Sequence, residues 1–461
     1  MVEQEYDLIV VGSGFAGLTC AIEAMRRKAR VLILEKMARI GGNSIISDGG
    51  IAAPCTDLQE KRDITDSPKR MAEDMLNAGK GRNDPDLVRL IANGAKEAFD
   101  WTRNVLGVTY LDRVDYFGGH SVPRCYTPKG VTGRQMIRAA EAHSKELNID
   151  LLLNARVTDF TGSDDILDGV IVDTAYRFGR RSTPILRTIR ARRAVVIASG
   201  GFGHDHALLK RYGSIDARTM STNRKSATGE LLEKLAEKGA KLVDMDQIQL
   251  GPWASRDEKG FGLGPRFGDY VALPYGILVD PSTGQRFINE LSDRKNVADA
   301  MLQLPGHALA IADENAVERA GWNLERLIDK GILKTFPSVK ALAEAYDVDL
   351  NALENTFRTY NDSVRSRHDR AFGKPITDQR PLERPPYYVM RAVPKVHHTM
   401  GGVRIDTKGR ILDTKNEPIR NLYAIGEVTG GIHGASRLGS CAVTECVVMG
   451  LEVARHLTKD D

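Results

Sequence analysis

The stretch EVTGGIHGASRLGS, residues 427–440, sets a carboxylate (Glu427), a run of glycines, an imidazole (His433) and a guanidinium (Arg437) in one short loop. A carboxylate at Glu427 can accept hydrogen bonds from sugar-like hydroxyls. Glycines let backbone N–H groups come close to a ligand, and the planar fork of Arg437 suits a carboxylate. Such a loop can hold a cofactor on one side and an anionic substrate on the other. Near the other end, Gly12, Gly14 and Gly17 stand in G-x-G-x-x-G spacing. The first glycine permits a tight turn, the second brings backbone near a pyrophosphate, and the third lets helix and strand pack closely. Glu35 is placed to accept from a ribose hydroxyl. The glycine pairs Gly41-Gly42 and Gly49-Gly50 flank Asn43, Ser44, Ser47 and Asp48, and imply backbone close to a large planar or phosphorylated ligand.

These residues need a scaffold, and the apolar patterning supplies one. Residues 6–11 form an apolar run of strand length, residues 18–27 read as a helix, and residues 31–34 form a second buried strand ending at Glu35. The helix N-terminus then faces phosphate charge. Helical spacing spans residues 84–106, and strands are expected over residues 150–175. The run AVVIAS followed by GGFG, within residues 192–203, reads as a second return of the chain to the cofactor. Residues 246–397 have longer loops and mixed structure, with a hairpin over residues 275–289 and helical patterns over residues 315–329 and 349–367. The strand LYAIGE, residues 422–427, and a helix over residues 442–456 close the chain. The expected fold is α/β with an α+β insertion: a Rossmann-like dinucleotide-binding domain made of residues 1–245 and 398–461, interrupted by a substrate-capping domain of residues 246–397.

The chain has 461 residues, 42% hydrophobic and 27% charged, with a net charge of +4 spread over both signs. That is ordinary for a globular protein and disfavours a dedicated nucleic-acid or membrane surface. No apolar run reaches spanning length. The start, MVEQEYD, has no basic segment followed by an apolar one, so no secretory signal is expected. The five cysteines include no C-x-x-C pair, which disfavours a disulfide framework, an iron–sulfur cluster and C-x-x-C-H haem attachment. No metal site is expected, and a reducing, cytoplasmic setting is.

Seven segments together resemble the flavoprotein subunits of the fumarate reductase and succinate dehydrogenase superfamily, closest to the soluble flavocytochrome-type fumarate reductases and their urocanate and acrylate reductase relatives. They are VVGSGFAG (residues 10–17), ILEK and GGNS (33–44), GGHSVPR (118–124), ASGGFG (198–203), GQRFINE with Arg294 (284–294), HHTMGG (397–402) and GEVTGGIHGASRLG (426–439). The resemblance covers essentially the whole chain. It implies a tightly bound FAD, a clamp domain that closes over it, and redox chemistry at an activated C=C bond. FAD is expected on Gly12, Gly14, Gly17, Glu35, Gly42, Asn43, Gly50, Gly201 and Glu427, with Ala16, Lys36, Ser44, Gly49, Val157 and Ser440 completing the candidate cofactor set. Membrane-bound members link FAD to a His. The matching stretch here, GGNSIISDGG, has none, so a noncovalent FAD is expected.

The resemblance also implies that His398 and Arg437 hold a substrate carboxylate and that Arg294 donates the proton. A carboxylate anchored by positive groups becomes an electron sink in the transition state. An Arg is normally a permanent cation, so the proton must be relayed to it. The relay positions of the family fall near Tyr270 and Leu273, which leaves Tyr270, Asp269 and Tyr275 as candidates, with Tyr270 placed among the catalytic residues. The second carboxylate anchor of fumarate reductases is also altered. Gly251 stands where a His would be, and Asp269-Tyr270 where a Thr-Glu pair would be. The expected substrate is therefore an α,β-unsaturated monocarboxylate rather than fumarate, with Arg256 or Arg266 as the alternative source of a missing anchor. Trp253, Phe261 and Phe267 leave room for an apolar or aromatic group. His120 and Arg124 suit either a site loop or packing, and Cys441 and Cys446 suit packing on the last helix. The alternatives are a fumarate reductase proper, a ketosteroid-type flavin dehydrogenase and a noncatalytic FAD-binding subunit. Electrons are expected from an external donor: a partner redox protein, a reduced flavin or a quinone.

Overall fold

Tyr6–Val11 is buried along nearly its whole length, and its apolar run is explained by its place at the centre of a parallel sheet. It lies between Val31–Glu35 and Leu186–Ile197, parallel to both. Strands covered on both faces read as continuous apolar runs rather than alternating ones. The computed structural model describes residues 6–163, 166–213, 215–216 and 218–459. Residues 1–5 and 460–461, the outer edges of the expected dinucleotide-binding domain, lie outside them.

Asp150–Leu153 extends the sheet beyond Val31–Glu35. On the other side, Pro418–Ala424 runs parallel to the end of Leu186–Ile197, pairing Leu422 with Val195 and Ala424 with Ile197. The last quarter of the chain therefore rejoins the sheet of the first strand, with Leu186–Ile197 between the two. Arg156–Ser163, Ile166–Asp173 and Leu186–Ile197 form an antiparallel meander on the same sheet. The helix Phe15–Arg26, which leaves the first strand through the glycine turn, packs against the final helix Cys441–Leu457. A Cβ on Gly12 would stand 2.2 Å from the Ala198 carbonyl oxygen, and its φ is +115°. Only glycine permits both the turn and that close approach.

A second sheet is ordered Ile248–Ser255, Tyr387–Thr399, Ala308–Ala312, Ile277–Asp280 and Gln285–Arg286. Ile277–Asp280 and Gln285–Arg286 are the two arms of the expected hairpin. The helical pattern of residues 315–329 is two helices, Glu314–Ala320 and Glu325–Asp329, because Gly321 ends the first in a left-handed conformation. His398 falls within the strand Tyr387–Thr399. The architecture is mixed α/β, with both sheets helix-covered. Among the described residues no helix is long and apolar enough to cross a membrane.

The pairing of Ile248–Ser255 with Tyr387–Thr399 is irregular in two places. Gln249 pairs with His398 but Leu250 pairs with Val396, which leaves His397 as an extra residue. Gly251 pairs with Lys395 and Ala254 with Val393, so the segment holding Pro252 and Trp253 bulges in turn. Such bulges re-aim side chains.

Candidate active site

The carboxyl ends of the parallel strands open onto a long cleft, the usual ligand position in open α/β sheets. It consists of two cavities with about 1000 and 880 Å³ of empty space, which meet at Phe15, Asn43, Ser44, Glu427 and Cys446. Of the expected cofactor residues, Gly12, Gly14, Ala16, Glu35, Lys36, Gly42, Val157 and Gly201 line the first cavity. Asn43, Ser44 and Glu427 line both, and Gly50 and Ser440 line the second. Gly17 and Gly49 line neither. Gly17 packs on the Gly12 carbonyl and Gly49 on Gly133, so they shape the walls.

The first cavity suits a dinucleotide. Glu35 accepts from the Ser13 hydroxyl and, at 2.8 Å, from the Met37 amide. Its carboxylate is thus fixed at the rim where a ribose hydroxyl would compete for it. Lys36 is held by Glu230 at 2.7 Å and Thr228 at 2.9 Å. The Asn43 side chain is spent on the opposite wall, donating to the Asn223 side-chain oxygen at 2.5 Å and accepting from the Arg224 amide at 2.9 Å. Asn43 therefore latches residues 223–224 over the cleft.

The second cavity collects Arg294, His398 and Arg437 with Asp48, Trp253, Phe261, Pro265, Asp269 and His397. Arg294 begins the helix Arg294–Leu302, capped by Asp293, which accepts from the Lys295 amide at 3.0 Å and the Asn296 amide at 3.2 Å. Its guanidinium donates to Asp269 at 2.7 Å and lies 5.5 Å from the Trp253 ring centre. Asp269 sits in the π-helical turn Gly268–Ala272, a feature found often at functional sites. Burial raises its carboxyl to about 6 against the pull of Arg294.

Arg437 is buried and donates to the Leu438 carbonyl at 2.9 Å. Its Nε–H has no hydrogen-bond partner among the described residues. Gln249 holds the loop by donating to the Arg437 carbonyl at 2.8 Å. Burial, with Arg294 nearby, pulls the Arg437 guanidinium down to about 10. His398 is pushed well below the ordinary imidazole range by burial and then by Arg437, so it is neutral and can act as a hydrogen-bond donor. Its Nδ1 lies 3.5 Å from Glu427. The Glu427 carboxyl is raised to about 7 by burial, and it accepts from the Thr399 amide at 3.0 Å. A buried cation without its full set of acceptors is costly, and an incoming carboxylate would meet that need.

Tyr270 lies outside the cavity that holds Arg294, His398 and Arg437. Its hydroxyl donates to Asp48 at 2.8 Å behind the wall. Tyr275 is also absent from that lining. Arg266 lines an outer cleft instead, and Arg256 approaches His307, so neither reaches the inner cavity. His433 is bound to Glu445 at 2.8 Å. His120 and Arg124 form a buried cluster with Asp66 and Asp74. Trp253 and Phe261 line the inner cavity, whereas Phe267 is fully buried elsewhere.

Asp48 and His397 are among the cavity residues that escaped the sequence reading of the site, and Cys446, expected only to pack, lines both cavities. Asp48 stood in the glycine-rich segment but was given no role. His397, next to His398, would face away in a regular strand, and only the bulge turns it inward. There it meets Trp253 with ring centres 4.7 Å apart and approaches the Thr222 hydroxyl at 2.9 Å.

A model of the FAD binding domain family matches residues 7–443. The acrylate reductase flavoprotein subunit of Shewanella woodyi is 38% identical over 98% of this chain and 91% of its own length. The cytochrome fumarate reductase of Shewanella frigidimarina is 34% identical over 96% of this chain and 75% of its own. The solved open conformation of a flavocytochrome c3 fumarate reductase superposes with a TM-score of 0.74 at 32% identity, covering 99% of this chain and 78% of that one.

Proposed function

This chain belongs to the FAD binding domain family, and from that premise we propose that it is an FAD-dependent reductase of the C=C bond of an α,β-unsaturated carboxylate, with a preference for monocarboxylates. The observation that carries the reading is the buried Arg437 guanidinium with an unsatisfied Nε–H, facing a cavity it shares with the Arg294–Asp269 pair. A guanidinium awaiting an anion fits a carboxylate better than the ketone of a steroid substrate, and two guanidinium groups in one cavity fit an active site better than a noncatalytic subunit.

The residues of the first cavity would hold the adenosine diphosphate half of FAD, and the rim shared at Ser44 and Glu427 would let its flavin half reach the second. FAD bound there supplies a hydride. Arg437 and neutral His398 would hold the substrate carboxylate and stabilise the charge that develops on it. Arg294 would protonate the carbon next to that carboxylate, and Asp269, 2.7 Å away, would return the proton that Arg294 gives up. A carboxyl raised to about 6 exchanges protons more readily near neutrality than one in the ordinary range.

The monocarboxylate preference is supported by the far wall. A Cβ on Gly251 would lie 2.9 Å from the Trp253 indole. Glycine there and the tryptophan wall are one linked arrangement, since any larger side chain at 251 displaces the ring. Arg294 and Arg437 are the only cations among the described residues lining this cavity, and Arg294 is already engaged by Asp269.

The electron donor is proposed to be external, and FAD to be noncovalent. The test is an oxygen-free substrate panel that follows reoxidation of the reduced enzyme by acrylate, methacrylate, cinnamate, urocanate and fumarate. A monocarboxylate is expected to lead. Fumarate ahead by about tenfold in kcat/KM, about 1.4 kcal/mol, overturns the preference. Reoxidation by none of them overturns the function. Acid denaturation of the same preparation is expected to leave the flavin in solution, and flavin retained by the precipitate would show a covalent link.

A further inference from the structure

Behind the cavity wall runs a line of polar groups that substrate anchoring does not use. Asp48 faces both the inner cavity and the outer cleft. Its carboxylate accepts from the Tyr270 hydroxyl at 2.8 Å. The Thr127 hydroxyl lies 3.3 Å from the Tyr270 oxygen and 2.7 Å from the Asp115 carboxylate. Asp115 in turn meets the Arg113 Nε at 2.8 Å. Tyr270 and Thr127 are buried. The Tyr270 ring is fixed edge-on between Phe117, at 5.1 Å, and Trp322, at 5.0 Å, so its hydroxyl has little freedom to leave the line.

A buried tyrosine hydroxyl normally finds some partner for packing reasons alone. Here the partners form a continuous series with a carboxylate at each end and two hydroxyls between, and each hydroxyl can both donate and accept. The outer end is partly open, since the Asp115 side chain is 12% exposed. The inner end opens on the cavity that holds Asp269 and Arg294. The π-helical turn explains how neighbours in sequence serve both: Asp269 points into the cavity and Tyr270 into the line.

We propose that Asp115, Thr127, Tyr270 and Asp48 form a proton path that supplies the substrate cavity, a proposal resting on the reading of this site as an enoate reductase. A proton on Asp115 passes to Thr127 as Thr127 gives its own to Tyr270 and Tyr270 gives its own to Asp48. Asp115 ends as a carboxylate, Asp48 as a carboxylic acid, and both hydroxyls are restored. Asp48 and Asp269 line the same cavity, and water between them would carry the proton from Asp48 to Asp269, which recharges Arg294. Burial raises the Asp115 carboxyl, with Arg113 opposing and Asp48 adding to the rise, which favours its holding a proton between turnovers.

Tyr270→Phe keeps the ring and its packing but cuts the path. Turnover on the best enoate of the panel is expected to fall at least about tenfold, less than the roughly 10²–10⁴-fold that a group transferring a proton directly to substrate contributes, with a larger solvent deuterium isotope effect and unchanged FAD binding. A rate and isotope effect within about twofold of wild type overturn the path. So does a slower rate with an unchanged isotope effect, which marks a displaced Asp269 instead. A second readout needs no substrate: the carbon-13 NMR titration of the Asp115 carboxyl. Tyr270 does not touch Asp115, but removing its hydroxyl leaves the Thr127 proton to Asp115 alone, which favours the ionised carboxylate. The Asp115 titration is therefore expected to move to lower pH in Tyr270→Phe. An unmoved titration shows a broken line and overturns the path, even if the wild type proves to reduce no enoate and the functional reading itself fails.

Discussion

Arg437 shows how one residue can be both a cost to the fold and the point of the site. Its guanidinium is buried, its Nε–H has no hydrogen-bond partner among the described residues, and Arg294 lies close enough to help pull it down to about 10. Desolvation and like-charge repulsion are borne by the ligand-free protein, and a substrate carboxylate relieves both. Arg437→Ala is expected to weaken carboxylate binding and slow turnover by roughly 30- to 1000-fold in kcat/KM, or ~2–4 kcal/mol, the range for losing a charge-assisted contact. Arg437→Lys keeps the charge but loses the fork, and is expected to recover only part of the loss. Steady-state kinetics on the leading enoate checks both. Wild-type kcat/KM in Arg437→Ala would remove the anchor from this residue.

Secondary-structure elements decide where such residues point. Arg294 is aimed by the first turn of the helix Arg294–Leu302, whose amides are satisfied by Asp293. Asp293→Ala leaves those amides without their cap and is expected to cost ~0.5–2 kcal/mol of stability. Because the frayed turn carries Arg294, turnover should fall while FAD binding is retained, a pair of outcomes that thermal denaturation and kinetics read together. The irregular pairing of Ile248–Ser255 with Tyr387–Thr399 has the same function on the opposite wall. One bulge turns His397 inward beside His398, and the other sets Trp253 over Gly251. Both are changes of register within a single strand pair, and together they set the shape of the substrate end.

At the scale of the whole molecule, the cleft is assembled from segments hundreds of residues apart. Glu427, from the last quarter of the chain, accepts from Thr399 of the second sheet and lines both cavities. Its carboxyl is raised from 4.5 to about 7, burial being the main cause. In the ligand-free protein the folded state therefore holds a proton that the unfolded chain has released between those two pH values. Stability falls as pH rises through this window and levels off above about 7. The loss from this group is at most about 3 kcal/mol. Glu427→Gln is expected to flatten that slope, as read from the melting temperature of the FAD-free protein between pH 4.5 and 7.5. An identical slope in the variant would place the titration elsewhere.

The dinucleotide-binding half was legible in the sequence because its chemistry is local. A strand, a glycine turn, a helix and an acid follow one another within the first 35 residues, and short-range geometry fixes how they meet. The gathering of Arg294, His398 and Arg437 was also anticipated, through a resemblance in motif rather than through spacing. What sequence could not give was direction. His397 is adjacent to His398, and alternation sends neighbours to opposite faces of a strand; a bulge set by the partner strand reverses that. Asp269 read as one of three relay candidates, and it is the π-helical turn that brings it to Arg294 at 2.7 Å. Tyr270 read as a residue of the site, but the same turn carries its hydroxyl to Asp48 and Thr127 behind the wall. The motifs marked a dinucleotide site and, through the family they resemble, pointed to FAD. Register and helix winding, which depend on long-range packing, decided which side chains share the cavity.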